Sequence, residues 1–98
     1  MFYRKTQKAD EDLIAIYLWG AVHFGDSQAD AYHAGLAACF DLIASFPALA
    51  AERAEFDPPV RVHRHAAHLV VYRVEHDHVL LIRVLHGRQD WQALLADE

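Results

Sequence analysis

The chain has 98 residues, 54% of them apolar, with 4 Gly and 3 Pro, which excludes disorder, collagen-like repeats and low-complexity segments and predicts one compact domain over residues 1–98. Nine basic against fourteen acidic residues leave a net charge of −5, so general attraction to phosphate backbones is not expected. The apolar run over residues 13–22 falls well short of the ~20 residues that span a bilayer and lies too far inside for a secretory signal, so no membrane association and a cytoplasmic location are expected.

Residues 2–5 read as a short N-terminal strand. From Asp10, the positions Leu13, Ile14, Tyr17, Ala21 and Phe24 share one face of an amphipathic helix, with Asp10, Glu11 and Asp12 at its positively polarised start. Gly25 stops it. Ser27-Gln28-Ala29-Asp30 has the form of a capping box and predicts a second helix. Its stripe is Tyr32, Leu36, Cys39, Phe40 and Ile43, and Pro47 closes it near Phe46. A link of two or three residues makes the pair an antiparallel hairpin. Residues 48–59, with Asp57-Pro58-Pro59, read as an extended loop. Val60-Arg61-Val62 then alternates, and residues 69–74 and 79–85 are β-branched or aliphatic runs of strand length. The polar Glu75-His76-Asp77-His78 supplies the turn between the last two strands. Trp91, Leu94 and Leu95 fit a short terminal helix that packs back on the body. The fold class is therefore α+β, an N-terminal αα-hairpin on a small antiparallel β-sheet.

An even-numbered turn pairs Val74 with Val79, Tyr72 with Leu81, Val70 with Arg83 and His68 with Leu85, and puts Leu69, Val71, Leu80, Ile82 and Val84 on the other face. Both faces are then apolar, and one helix hairpin covers only one of them. The remaining hydrocarbon predicts a protein partner. Leu13, Tyr17, Leu36, Phe40, Ile43, Ile82 and Val84 are the expected core.

His63, His65 and His68, and separately His76 and His78, have spacings that a two-histidine metal site would use. No cysteine or acidic third ligand accompanies them and HExxH is absent, so they read as solvated or edge residues, with no metal and no cofactor expected. Cys39, the single cysteine, allows no intramolecular disulfide and fits a reducing compartment. It lies in an apolar stripe, Ser27 in a cap and Ser45 at a helix end, leaving no evident nucleophile and no catalytic residue. A glycine-rich phosphate loop is absent. Lysine occurs only at Lys5 and Lys8, whereas six of the seven arginines lie at or after Arg53; any positive patch is local and built from arginine.

The helix hairpin followed by His68-Leu69-Val70-Val71-Tyr72-Arg73-Val74 and by Val79-Leu80-Leu81-Ile82-Arg83-Val84-Leu85-His86-Gly87-Arg88-Gln89-Asp90 resembles the ParE toxins of the RelE/ParE superfamily, over nearly the whole chain. Phe46-Pro47-Ala48-Leu49 is also similar, while Pro59-Val60-Arg61 stands where the family has Gly-x-Arg. The resemblance implies a type II toxin that inhibits DNA gyrase, held as a hetero-oligomer by a ParD-like antitoxin, with no sequence-specific binding of nucleic acid. It makes Arg83, His86, Arg88, Asp90 and Trp91 candidate target contacts and Val70, Tyr72 and Leu81 candidate antitoxin contacts. RelE-like relatives instead cleave mRNA on the ribosome with lysines, arginines and a C-terminal tyrosine. Here no lysine follows Lys8, no tyrosine follows Tyr72, and Leu95 stands near the expected tyrosine. In that alternative, Arg61, Arg73, Arg83 and Arg88 would stabilise a phosphorane and His86 would act as acid or base. A non-toxic antitoxin-binding module is the third reading.

Overall fold

Thr6 ends the first strand and starts the first helix, and one side chain does both. In the computed structural model, which describes residues 1–96, β1 (Phe2–Lys5) runs into α1 (Gln7–Phe24), and the Thr6 Oγ1 accepts the Ala9 N–H at 3.1 Å as the N-cap. The helix thus begins three residues before the expected Asp10. Gly25, at φ +91°, ends it and is also the N-cap of α2 (Asp26–Ser45); this left-handed backbone suits glycine. The expected capping box is not used: Ser27 lies inside α2, and no side chain caps that helix. A link of one residue makes the hairpin tighter than predicted.

After α2 come a 3₁₀ turn (Pro47–Leu49), β2 (Glu52–Arg53), β3 (Val60–His65), β4 (His68–Val74), β5 (His78–His86) and α3 (Trp91–Ala96). The sheet order is β1-β5-β4-β3-β2. All pairs are antiparallel except β1 with β5, which makes the sheet mixed rather than wholly antiparallel. Strand β2, inside the expected loop, is short enough that no alternation marks it.

The α2 stripe is buried as predicted: Leu36, Cys39, Phe40 and Ile43 pack with Leu13 on Val70, Tyr72, Val79, Leu81 and Val84. Burial pushes the Cys39 thiol up from its ordinary range. Helix α1 is turned from its expected phase. Ala9, Leu13 and Ile16 face inward and Tyr17 is half-buried, whereas Ile14 and Phe24 stay 61% and 57% exposed. The Thr6 cap sets that phase, because its hydroxyl donates to the Ile82 carbonyl of β5 at 2.8 Å and its N–H to Leu81 at 3.0 Å.

The register of β4 and β5 matches the expectation at Val74–Val79 and Tyr72–Leu81, then shifts by one residue at a bulge. Beyond it Val71 pairs with Arg83, Val70 with Val84, Leu69 with Leu85 and His68 with His86. Val84 therefore joins the helix-side core instead of the far face. That far face is not bare either: Phe56 from the β2–β3 loop and Trp91 and Leu95 from α3 close over Val60, Val62, Val71 and Ile82. Ile82 is half-buried, short of the full burial expected. No helix is long and apolar enough to cross a membrane among the described residues.

These assignments separate two isoleucines of similar sequence appearance. Ile43→Ala is expected to cost about 2–5 kcal/mol in denaturant unfolding, and Ile14→Ala less than about 0.5 kcal/mol; equal losses would contradict the helix phase.

Candidate functional site

The five candidate target residues do not form one group. Arg83 reaches back to α1: its Nε and terminal nitrogen donate to the Asp12 carboxylate at 2.8 and 3.0 Å, and Asp12 also accepts the Val84 N–H at 2.9 Å. Both side chains are only 15% exposed, so this pair fastens α1 to the bulged strand. Trp91 is half-buried, its ring centroid 6.1 Å from Phe56, with the Arg53 guanidinium 5.0 Å above it. Asp90 lies at the start of α3, its Oδ1 3.5 Å from the Ala93 N–H. Only His86 and Arg88 share a concavity. The candidate antitoxin contacts Val70, Tyr72 and Leu81 are fully buried beneath the hairpin, and the Tyr72 hydroxyl donates to the Pro47 carbonyl at 2.7 Å. Burial removes these three from any contact surface.

The concavity is a cleft of about 680 Å³ between the helix hairpin and the ends of β3, β4 and β5. Trp19, Phe24 and Tyr32 form its aromatic wall, facing Arg64, His68, His86 and Arg88. The backbone holds this second wall closely. Gly87 donates to the Ala67 carbonyl at 2.9 Å, Arg88 N–H donates to the His86 Nδ1 at 3.0 Å, and the Gln89 Oε1 accepts the His86 N–H at 2.8 Å. Gly87 packs closely here: an added Cβ would stand 3.1 Å from an Arg64 guanidinium nitrogen and 3.4 Å from the Ala67 carbonyl oxygen, so a side chain would have to shift Arg64 by a few tenths of an ångström. Ala66 makes the adjoining turn at φ +51°, a left-handed backbone that costs about 1–2 kcal/mol.

At the base of the cleft the Tyr32 hydroxyl and the His68 Nδ1 are 2.6 Å apart, and the His68 and His86 ring centroids are 5.3 Å apart. Burial, reinforced by His86 and His65, holds His68 below the ordinary imidazole range. Burial also raises Tyr32. His65 and His68 thus come together at the cleft, and no set of three or more His, Cys, Asp or Glu side chains converges as a metal site among the described residues. Arg64 and the role of Tyr32 escaped sequence reading. Tyr32 fits an apolar stripe, and only the fold puts its hydroxyl against His68.

Beyond the cleft, Ile14, Leu18, Trp19, Val22 and Phe24 leave α1 with an exposed apolar face. The unpartnered hydrocarbon expected on the sheet is on this helix instead.

A family model for the ParE toxin of type II toxin–antitoxin systems, parDE, matches residues 3–91. The chain belongs to the ParE toxin family. Its fold is shared with a solved chain of the chromosomal ParDE toxin–antitoxin system from P. aeruginosa, at a TM-score of 0.73 and 24% identity, covering 88% of this chain and 95% of that one. No curated protein matches it. The helix hairpin on its five-stranded sheet is thus a ParE toxin fold.

Two measurements check this division of roles. Asp12→Asn is expected to destabilise the fold by about 1–3 kcal/mol, since it weakens a half-buried charged cluster, while Arg88→Ala changes stability by less than about 0.5 kcal/mol. The His68 imidazole takes up a proton more readily in the unfolded chain, so its contribution to stability is lost as pH falls through the ordinary imidazole range and is restored above it. His68→Asn is expected to flatten that part of the stability–pH curve; an unchanged slope would contradict the assignment.

Proposed function

We propose that the chain inhibits DNA gyrase by binding it, without bond cleavage, and is neutralised by a ParD-like antitoxin. Family membership over residues 3–91 supports the toxin class. The observation that favours a binding inhibitor over a ribonuclease is the disposition of the arginines. Arg53, Arg61, Arg73 and Arg83 are each engaged by a carboxylate, of Glu55, Glu52, Glu75 and Asp12 respectively. Cleavage of a phosphodiester asks for cations converging on one phosphate beside an acid–base pair, and these four lie on four different strands, β2, β3, β4 and β5, each held by its own carboxylate. Binding to a protein surface asks only for complementarity with a few arginine and aromatic anchors. Arg88, exposed at the cleft mouth, is such an anchor. The bare face of α1 supports a covering antitoxin, since apolar area of this kind is removed from water by a partner.

Purified chain is expected to block supercoiling or trap cleaved DNA with gyrase while ribosome-bound mRNA stays intact. Arg88→Ala should weaken that effect by about fivefold or more, equivalent to about 1 kcal/mol. Cleavage of the mRNA with gyrase unaffected would reverse the reading, and inertness in both assays would leave an antitoxin-binding module.

A further inference from the structure

Of the chain's eight histidines, three line the cleft, His33, His68 and His86, and a fourth, His65, lies with its ring centroid 5.7 Å from that of Tyr32. Arg64 and Arg88 stand with His68 and His86 on the strand side of the cleft, and among the described residues no Asp or Glu lines it, in a chain carrying five more acidic than basic residues. Arg64 donates only to the Ala66 carbonyl, and Arg88 meets no carboxylate among the described residues. Cationic groups held without counter-charge in a concave site favour an anion there. The opposite wall is apolar and joins the exposed ridge of Ile14, Leu18 and Val22 on α1.

We infer that the cleft receives an acidic side chain from an amphipathic peptide segment of the partner, and that seating it draws a proton from solvent onto His68. This deepens the antitoxin reading above and rests on it. A free small anion would fill the cationic wall and leave the α1 ridge bare, whereas a peptide covers both. A polynucleotide would bring further phosphates towards Asp26 and Asp30, which act on Tyr17 at the helix side of the cleft. An amphipathic segment with apolar positions at helical spacing matches the ridge.

The proton has a prepared place. In neutral His68 the Nδ1 accepts the Tyr32 hydroxyl, and that hydroxyl has a second acceptor in the His65 carbonyl at 3.4 Å. When His68 charges, its Nδ1–H donates to the Tyr32 oxygen and the Tyr32 proton turns to His65. The His86 Nδ1 is already engaged by the Arg88 N–H, whereas the Tyr32–His68 bond has a partner that lets it reverse. The groups around His68 are Tyr32 and His33 from α2, Arg64 and His65 from β3, His86 from β5, Arg88 from the tail, and Tyr17 with its partner Asp30 from the helix side. In the empty cleft burial and the positive neighbours keep His68 neutral; an entering carboxylate reverses the local field and favours the charged form.

The test is calorimetric titration of the whole chain with a synthetic amphipathic peptide of about 15 residues carrying one central Glu, and with its Gln counterpart. The Glu peptide is expected to bind at least about tenfold tighter near pH 6, and its affinity to rise about thirtyfold from pH 7.5 to pH 6, about tenfold for each pH unit, as uptake of one proton requires. His68→Asn should abolish the pH dependence, and Arg88→Gln, at an exposed position, should lower affinity for the Glu peptide alone. Equal binding of the two peptides, or affinity independent of pH, overturns the inference. Acetate or phosphate matching the peptide, or a single-stranded oligonucleotide exceeding it, does so too. None of these outcomes bears on gyrase inhibition, and loss of that activity leaves them unchanged, so the two readings fail separately.

Discussion

The molecule depends on one extra residue in β5. Ile82 has no partner on β4, and an unpaired position inside a sheet leaves backbone groups that must be satisfied elsewhere. Two side chains do this. The Thr6 hydroxyl donates to the Ile82 carbonyl while capping α1, and the Asp12 carboxylate accepts the Val84 N–H while holding the Arg83 guanidinium. The bulge is thus stabilised by the helix it packs against, and the helix is phased by the bulge. Because β5 lies between β1 and β4 and carries the core residues Val79, Leu81 and Val84, a disturbance there reaches every layer.

The same extra residue builds the cleft. Without it the register set by Val74 and Val79 would place Leu85 opposite His68; with it His86 stands there, and the two imidazoles meet at 5.3 Å. Gly87 and Arg88 follow at once, tied to the β3–β4 turn through Ala67. The arginines accordingly divide into two kinds. Arg83 serves the bulge and Arg53 the Trp91 ring, whereas Arg64 and Arg88 remain at the cleft mouth. Residue type alone does not distinguish them.

The legible parts of the chain were those governed by local periodicity. Leu36, Cys39, Phe40 and Ile43 repeat at helical spacing and are buried, Gly25 and Pro47 bound their helices as their backbone chemistry dictates, and Val74–Val79 pair across a polar turn. Misplaced features arose from contacts between distant residues. The phase of α1 depends on Thr6 meeting a carbonyl 76 positions away, so Ile14 and Phe24 were expected inside. The register beyond Tyr72 depends on Asp12. The far sheet face looked bare because Phe56, Trp91 and Leu95 are separated in sequence from the strands they cover, and which face the hairpin buries, that of Val70, Tyr72 and Leu81, is not marked by alternation when both faces are apolar. Of the candidate site, His86 and Arg88 could be picked out as the polar exit of a buried strand. Arg64 and Tyr32 could not, since nothing local to them marks the cleft.

The register at the bulge fixes both the phase of α1 and the cleft, and the cross-strand nuclear Overhauser pattern of β4 and β5 reads it directly. Contacts from His68 to His86 and from Tyr72 to Leu81, with Ile82 lacking a cross-strand partner, are the predicted result. Contacts from His68 to Leu85, with Ile82 paired, would show a regular ladder and contradict it.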